Sequence, residues 1–164
     1  MKVITAPLLL LAALVAFNAY GQAPQTKPNL SGTWIFSLHK SALKVPPPSR
    51  MTLEIAQNDP EVTLSRTQVY GDQNYDWKLN IVADGQKEVV QDSPGYTTRS
   101  RVYWQGSAMV IDSKITASDG TTVTDVVTYN LGDGGKTLEA VERQVTQGAK
   151  GSTTNKWVYE KKAE

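Results

Sequence analysis

The chain has 164 residues, 17 Lys+Arg against 16 Asp+Glu, one histidine and no cysteine. Without cysteine there is no disulfide framework, thiolate metal site, cysteine nucleophile or lipid-modified cysteine near the N-terminus. The near-zero charge holds no block of like sign, which excludes the electrostatic footprint of a nucleic-acid binder or of a protein drawn to anionic membranes.

Residues 1–21 read as a cleavable export signal. Met1 and Lys2 make a short basic start, 8–17 are an unbroken apolar run, and Ala19 and Gly21 place small residues at −3 and −1 of a cleavage site. The run is short of the roughly 20 apolar residues that span a bilayer, and no second run follows it. A periplasmic or secreted protein is therefore expected, with no membrane-spanning segment. Cleavage after Gly21 leaves 16 basic and 16 acidic residues. The mature chain of about 140 residues is large enough for one core. Residues 22–30, with Pro24 and Pro28 and no apolar periodicity, read as a flexible leader to a single domain over 31–164.

From Ser31 onward the chain is about ten short runs of alternating apolar and polar residues. The first, 33–38, puts Trp34, Phe36 and Leu38 on one face. Residues 40–50 interrupt it, with a helical turn expected over 41–44 and an extended polyproline stretch at Pro46, Pro47 and Pro48. As the longest irregular connection, this segment is expected to form a lid over one barrel end. Met51, Leu53 and Ile55 follow, then a turn at Asn58-Asp59-Pro60. Val62, Leu64, Arg66, Gln68 and Tyr70 share the next face, and Gly71-Asp72 turns the chain into Tyr75, Trp77, Leu79 and Ile81.

Ala83-Asp84-Gly85 is expected to close a hairpin to 87–91. Pro94-Gly95, Gln105-Gly106, Asp119-Gly120 and two glycine-rich stretches, 132–135 and 148–151, separate the remaining runs at 96–104, 109–116, 121–131, 136–145 and 152–161. Such turn pairs between alternating runs are the strongest short-range hairpin signals. They predict an all-β, up-and-down antiparallel barrel of about eight to ten strands, because closure removes exposed edges. A Greek-key sandwich needs longer crossovers than these turns supply. A lipid-facing barrel is excluded by charges on both strand faces, such as Glu54, Arg66, Lys78, Glu88, Asp112, Lys114 and Glu142.

Gly32-Thr33-Trp34, at the start of the first strand, resembles the Gly-x-Trp signature of lipocalins and related calycin barrels, in which the tryptophan plugs the closed end. Thr124-Asp125-Val126-Val127-Thr128-Tyr129 is similar to the lipocalin Thr-Asp-Tyr-x-x-Tyr motif with Val126 in place of the first tyrosine. The resemblance implies that Arg143 stands in for the arginine laid across that tryptophan. Lipocalins also carry a C-terminal helix, for which this chain has no sequence after its last strand. A broader resemblance runs through Leu30-Ser31-Gly32-Thr33-Trp34, Lys40-Ser41, the three prolines, Trp104-x-Gly106, Val110-Ile111, Gly135-Lys136-Thr137-Leu138 and Val158-Tyr159-Glu160-Lys161. That order is similar to a group of exported bacterial lipocalin-like proteins with no assigned activity, and implies fold and compartment only.

No catalytic constellation emerges. His39, the sole imidazole, takes an outward phase with Ile35 and Ser37, so no nucleophile–base pair, haem ligand or metal cluster can be built around it. No cofactor is expected. Asp125 shares a face with Val123, Val127, Tyr129 and Leu131, and Arg66 sits among Val62, Leu64 and Tyr70. A charge on an apolar face must be paired or hydrogen-bonded, so each is either a structural contact inside the barrel or a polar anchor for a ligand. Arg101 and Tyr103 could grip a carboxylate, as in some fatty-acid-binding barrels, but Trp104 takes the inward phase and turns them outward. The phase of 136–145 is undetermined, because both of its faces are mixed.

The expected function is binding of a small apolar or amphipathic ligand. Trp34 would seal the base, Tyr75 and Trp77 line the wall, and Arg66, Asp125 and Tyr129 orient the ligand. The alternatives are a filled barrel that works as an interaction module through its surface, and a calycin-type isomerase or cyclase acting by shape.

Overall fold

The structure, a computed structural model, describes residues 27–163; residues 1–21, read as an export signal, and most of the expected leader lie outside that range. Ten strands follow one another along the described residues. They are β1 (Gly32–Phe36), β2 (Arg50–Asn58), β3 (Glu61–Tyr70), β4 (Gln73–Val82), β5 (Glu88–Ser93), β6 (Tyr96–Gln105), β7 (Ala108–Ala117), β8 (Thr122–Gly132), β9 (Thr137–Thr146) and β10 (Thr153–Lys161). All ten belong to one antiparallel sheet in the order β4-β3-β2-β1-β10-β9-β8-β7-β6-β5. The meander wraps round so that the first strand meets the last, with Trp34 opposite Lys161. Only the seam between β4 and β5 lacks a ladder, so the barrel is nearly closed.

Tight turns set the register. Between β5 and β6, Pro94 pre-sets its own φ and Gly95 takes φ +88°, which places Ser93 opposite Tyr96. Because side chains alternate faces, one register then fixes the inward set round the whole barrel. Trp34, Leu53, Arg66 and Trp77 lie on neighbouring strands at paired positions. So do Asn155, Glu142, Val127, Ile111 and Val102.

The core fills one end. Leu30, Trp34, Leu64, Val102, Met109 and Leu138 are fully buried there, each contributing roughly 1.5–3 kcal/mol of transfer free energy. Trp34 donates its indole N–H to the Leu30 carbonyl at 3.0 Å. Gly32 opens β1 at φ +141°, and a Cβ there would lie 3.0 Å from Cε of Lys161. The glycine of the Gly-x-Trp pair therefore has a physical reason: a lysine stem crosses it to reach the tryptophan.

Several expectations are corrected. The end of the leader is docked, because Leu30 is fully buried and its N–H donates to Gln57 Oε1 at 2.9 Å. Strand β1 stops at Phe36, and a 3-10 turn over Leu38–Lys40 leaves Leu38 55% exposed instead of inward. The helical turn thus precedes 41–44, where Ala42 instead bridges Lys156 of β10.

Residues 40–50, expected as a lid, are tied to β10. Ser41 Oγ accepts from Val158 N–H at 2.9 Å, Lys44 N–H donates to Asn155 Oδ1 at 2.8 Å, and Pro48 is buried. These bonds continue the line of β1 along β10. Arg143 faces outward and is exposed; Lys161 Nζ lies 5.5 Å from the Trp34 ring in its stead.

The expected hairpin across 83–85 does not form. Its backbone donors are taken elsewhere, Ala83 N–H by Pro60 and Gly85 N–H by Val102, while Asp84 Oδ1 accepts from the N–H groups of Gln86 and Lys87. The connection therefore steers β5 onto β6 and leaves the seam. One side-chain bond crosses it, from Gln91 Nε2 to the Lys78 carbonyl at 2.9 Å.

Candidate functional site

The half of the barrel away from Trp34 holds a partly open cavity of about 260 Å³. Its wall combines Trp77, Ile111, Ile115 and Val127 with three charged groups, Arg66 of β3, Asp125 of β8 and Glu142 of β9. Ser100 and Ser113 hydrogen-bond to each other through their hydroxyls at 2.8 Å on the same wall.

Arg66 pairs with Trp77 across β3–β4, and its guanidinium carbon sits 5.1 Å from the indole ring centroid, within reach of a cation–π attraction. Its Nε is buried and has no hydrogen-bond partner among the described residues. Asp125 stands opposite Ser113 on one side and Gln144 on the other. Its Oδ1 is likewise buried without a partner. Burial first, and then the nearby Glu142 carboxylate, push the Asp125 carboxyl up to about 6, against the opposing pull of Arg66 and Gln144.

Glu142 is held firmly. Oε2 accepts from Asn155 Nδ2 at 2.9 Å and from Trp157 Nε1 at 3.0 Å, and Oε1 accepts from Gln144 Nε2 at 3.3 Å. Asn155, only 1% exposed, also receives the Lys44 N–H, so one amide joins the proline segment to the cavity wall. Tyr129 closes the floor, its phenol pushed up to about 12 by burial. Burial raises the neighbouring Tyr159 phenol too. Among the described residues neither acid makes a salt bridge to Arg66.

Of the residues singled out in the sequence, the fold brings Arg66, Trp77, Asp125 and Tyr129 together in this cavity. Trp34 is at the opposite, filled end, fully buried beneath Lys161. Tyr75 lies at the rim, half-exposed, with its ring 5.9 Å from that of Tyr70 and its hydroxyl bonded to Gln73. Arg101 is outside the barrel, where Arg99 and Arg101 both pair with Glu88 at 3.0 and 3.5 Å. His39 is exposed on the 3-10 turn.

Glu142 escaped the sequence reading because both faces of its strand are mixed. Counting the β8–β9 register from the turn at Asp133–Gly135 would have placed it opposite Val127, on the same face as Asp125. Among the described residues no group of three His, Cys, Asp or Glu side chains is arranged to hold a metal ion. The arrangement offers an acceptor, a donor and an aromatic wall, which is the equipment of a binding site.

Ten meandering strands round a closed base and a lined cavity define a barrel of the lipocalin-like, calycin type. No protein-family model matches the chain, and no curated protein matches it. Among solved structures, it is similar to a secretory abundant heat soluble protein of Ramazzottius varieornatus, at 15% identity over 85% of this chain and all of that one, with a TM-score of 0.57. Secretory abundant heat soluble protein 4 of the same organism is similar at 16% identity, over 87% of this chain and all of that one, with a TM-score of 0.52. At these identities the likeness is one of fold, a β-barrel.

Proposed function

We propose that this protein is an exported barrel that takes a small amphipathic ligand into the cavity bounded by Arg66, Trp77, Asp125 and Glu142. The observation that carries the reading is the pair of buried, unpartnered polar atoms, Arg66 Nε and Asp125 Oδ1, on the wall of one cavity. A buried polar atom left without a hydrogen bond costs about 1–3 kcal/mol, and a ligand that supplies a donor and an acceptor recovers that cost. The export signal read in residues 1–21 supports a location outside the cytoplasm. A cavity of about 260 Å³ lies just below the ~300–1,000 Å³ typical of drug-sized sites, so the ligand is a small molecule or the head of a longer one.

Native mass spectrometry of the protein isolated from its own envelope, compared with the same sample after denaturation, tests this reading. A released small molecule supports it, and its loss on Trp77→Ala with the fold intact places it against that wall. A clean apo mass, together with a Trp77→Ala variant that changes only stability, would return the barrel to a surface-acting interaction module.

A further inference from the structure

Resting on the reading of this cavity as a ligand site, we infer that the head group it receives is a small organic ammonium, seated between the Asp125 and Glu142 carboxylates with its apolar part along Trp77, Ile115 and Val127. Two carboxylates face one guanidinium in this interior, and an uncompensated buried anion is expensive. Arg66 does not resolve the excess. It lies against the Trp77 ring, and among the described residues it makes no salt bridge with either acid.

Glu142 is oriented by three neutral donors, from Asn155, Trp157 and Gln144, which fix its position without removing its charge. Two carboxylate oxygens offer about four acceptor sites, so one remains. Asp125 adds the buried Oδ1 that nothing else uses. An ammonium has three donors and one positive charge, so it can bond to both acids and, with Arg66 already in the wall, cancel the one excess negative charge. A carboxylate head group would meet Arg66 but be repelled by two anions; an alcohol would satisfy Oδ1 without balancing the charge.

The site also carries a proton signature. Arg66, Glu142 and Tyr129 are the charged or titratable groups facing Asp125, with the neutral Gln144 and Ser113 beside it on the flanking strands. An ammonium needs Asp125 ionised, so its apparent affinity declines as pH drops through about 6, approaching tenfold per pH unit.

Isothermal titration calorimetry with n-hexylammonium, n-hexanol and n-hexanoate tests the inference. At pH 7.5 the ammonium should bind roughly tenfold or more tighter than the alcohol, with hexanoate weakest. Its affinity should fall about tenfold between pH 7.5 and pH 5. Asp125→Asn should remove both the preference and the pH slope, whereas Asp112→Asn, on the outer face, should keep both. Hexanoate binding as tightly as hexylammonium, a preference that survives Asp125→Asn, or no heat from any of the three would overturn the inference. In that last case the ligand-site reading is decided separately by native mass spectrometry, where a released molecule without an amine would sustain it.

Discussion

Asparagine at position 125 should make the protein more stable at neutral pH. Folding carries the Asp125 carboxyl from its usual 3.8 to about 6, and at about 1.4 kcal/mol per pH unit the full effect is ~3 kcal/mol. Solvent reaching the cavity mouth screens part of it, which leaves about 1–2 kcal/mol. The native state holds the Asp125 proton more tightly than the unfolded chain does, so the wild type loses stability as pH rises from about 4 to about 6 and stays at the lower level above that. Asparagine cannot ionise and is spared the loss. Urea unfolding of both proteins at pH 4, 5, 6 and 7 should show a difference near zero at the acid end that grows to the full value by pH 7, with an unchanged m-value. Titrating groups that do not interact with Asp125 are common to the two proteins and cancel. A difference that is flat with pH, or largest at pH 4, would refute the claim that burial beside Glu142 destabilises this charge. The same substitution removes the negative charge on which the proposed ligand depends, so the wild type would be accepting a stability cost for a binding group.

Further outcomes follow from other contacts. Gly32→Ala should lower stability by about 1–3 kcal/mol in thermal or chemical unfolding, since it combines a positive φ with a Cβ 3.0 Å from Lys161 Cε. Asn155→Ala should cost about 2 kcal/mol, because it strands the Lys44 N–H and removes a donor from Glu142. It should also speed proteolysis within residues 40–50, measurable by limited digestion. Arg143→Ala should stay within about 0.5 kcal/mol of wild type, as its side chain is exposed outside the barrel. Gln91→Ala removes the only side-chain bond described across the β4–β5 seam, so amide exchange should accelerate in Gln73–Val82 and Glu88–Ser93 more than in β8 or β9.

The strands and their class were legible because strand alternation and two-residue turns are local properties. Met51, Leu53 and Ile55 face inward as their spacing dictates, and Gly71-Asp72 and Pro94-Gly95 turn the chain where their backbone preferences require. Asp125 and Arg66 stood out for a local reason too, a charge amid apolar neighbours on one face. The chain itself thus determined an all-β meander and two unusual interior charges.

Tertiary structure decided the rest. Ala83-Asp84-Gly85 looks like a hairpin in isolation, but its donors find Pro60 and Val102, and the seam opens there. Which face of β9 turns inward depends on its partners, and with that choice Glu142 enters the cavity while Arg143 leaves it. The base is completed by Lys161 crossing Trp34, residues 127 apart in sequence that meet only when the last strand pairs with the first. Closing the sheet on itself is a long-range event, and no local periodicity specifies which mixed face it will enclose.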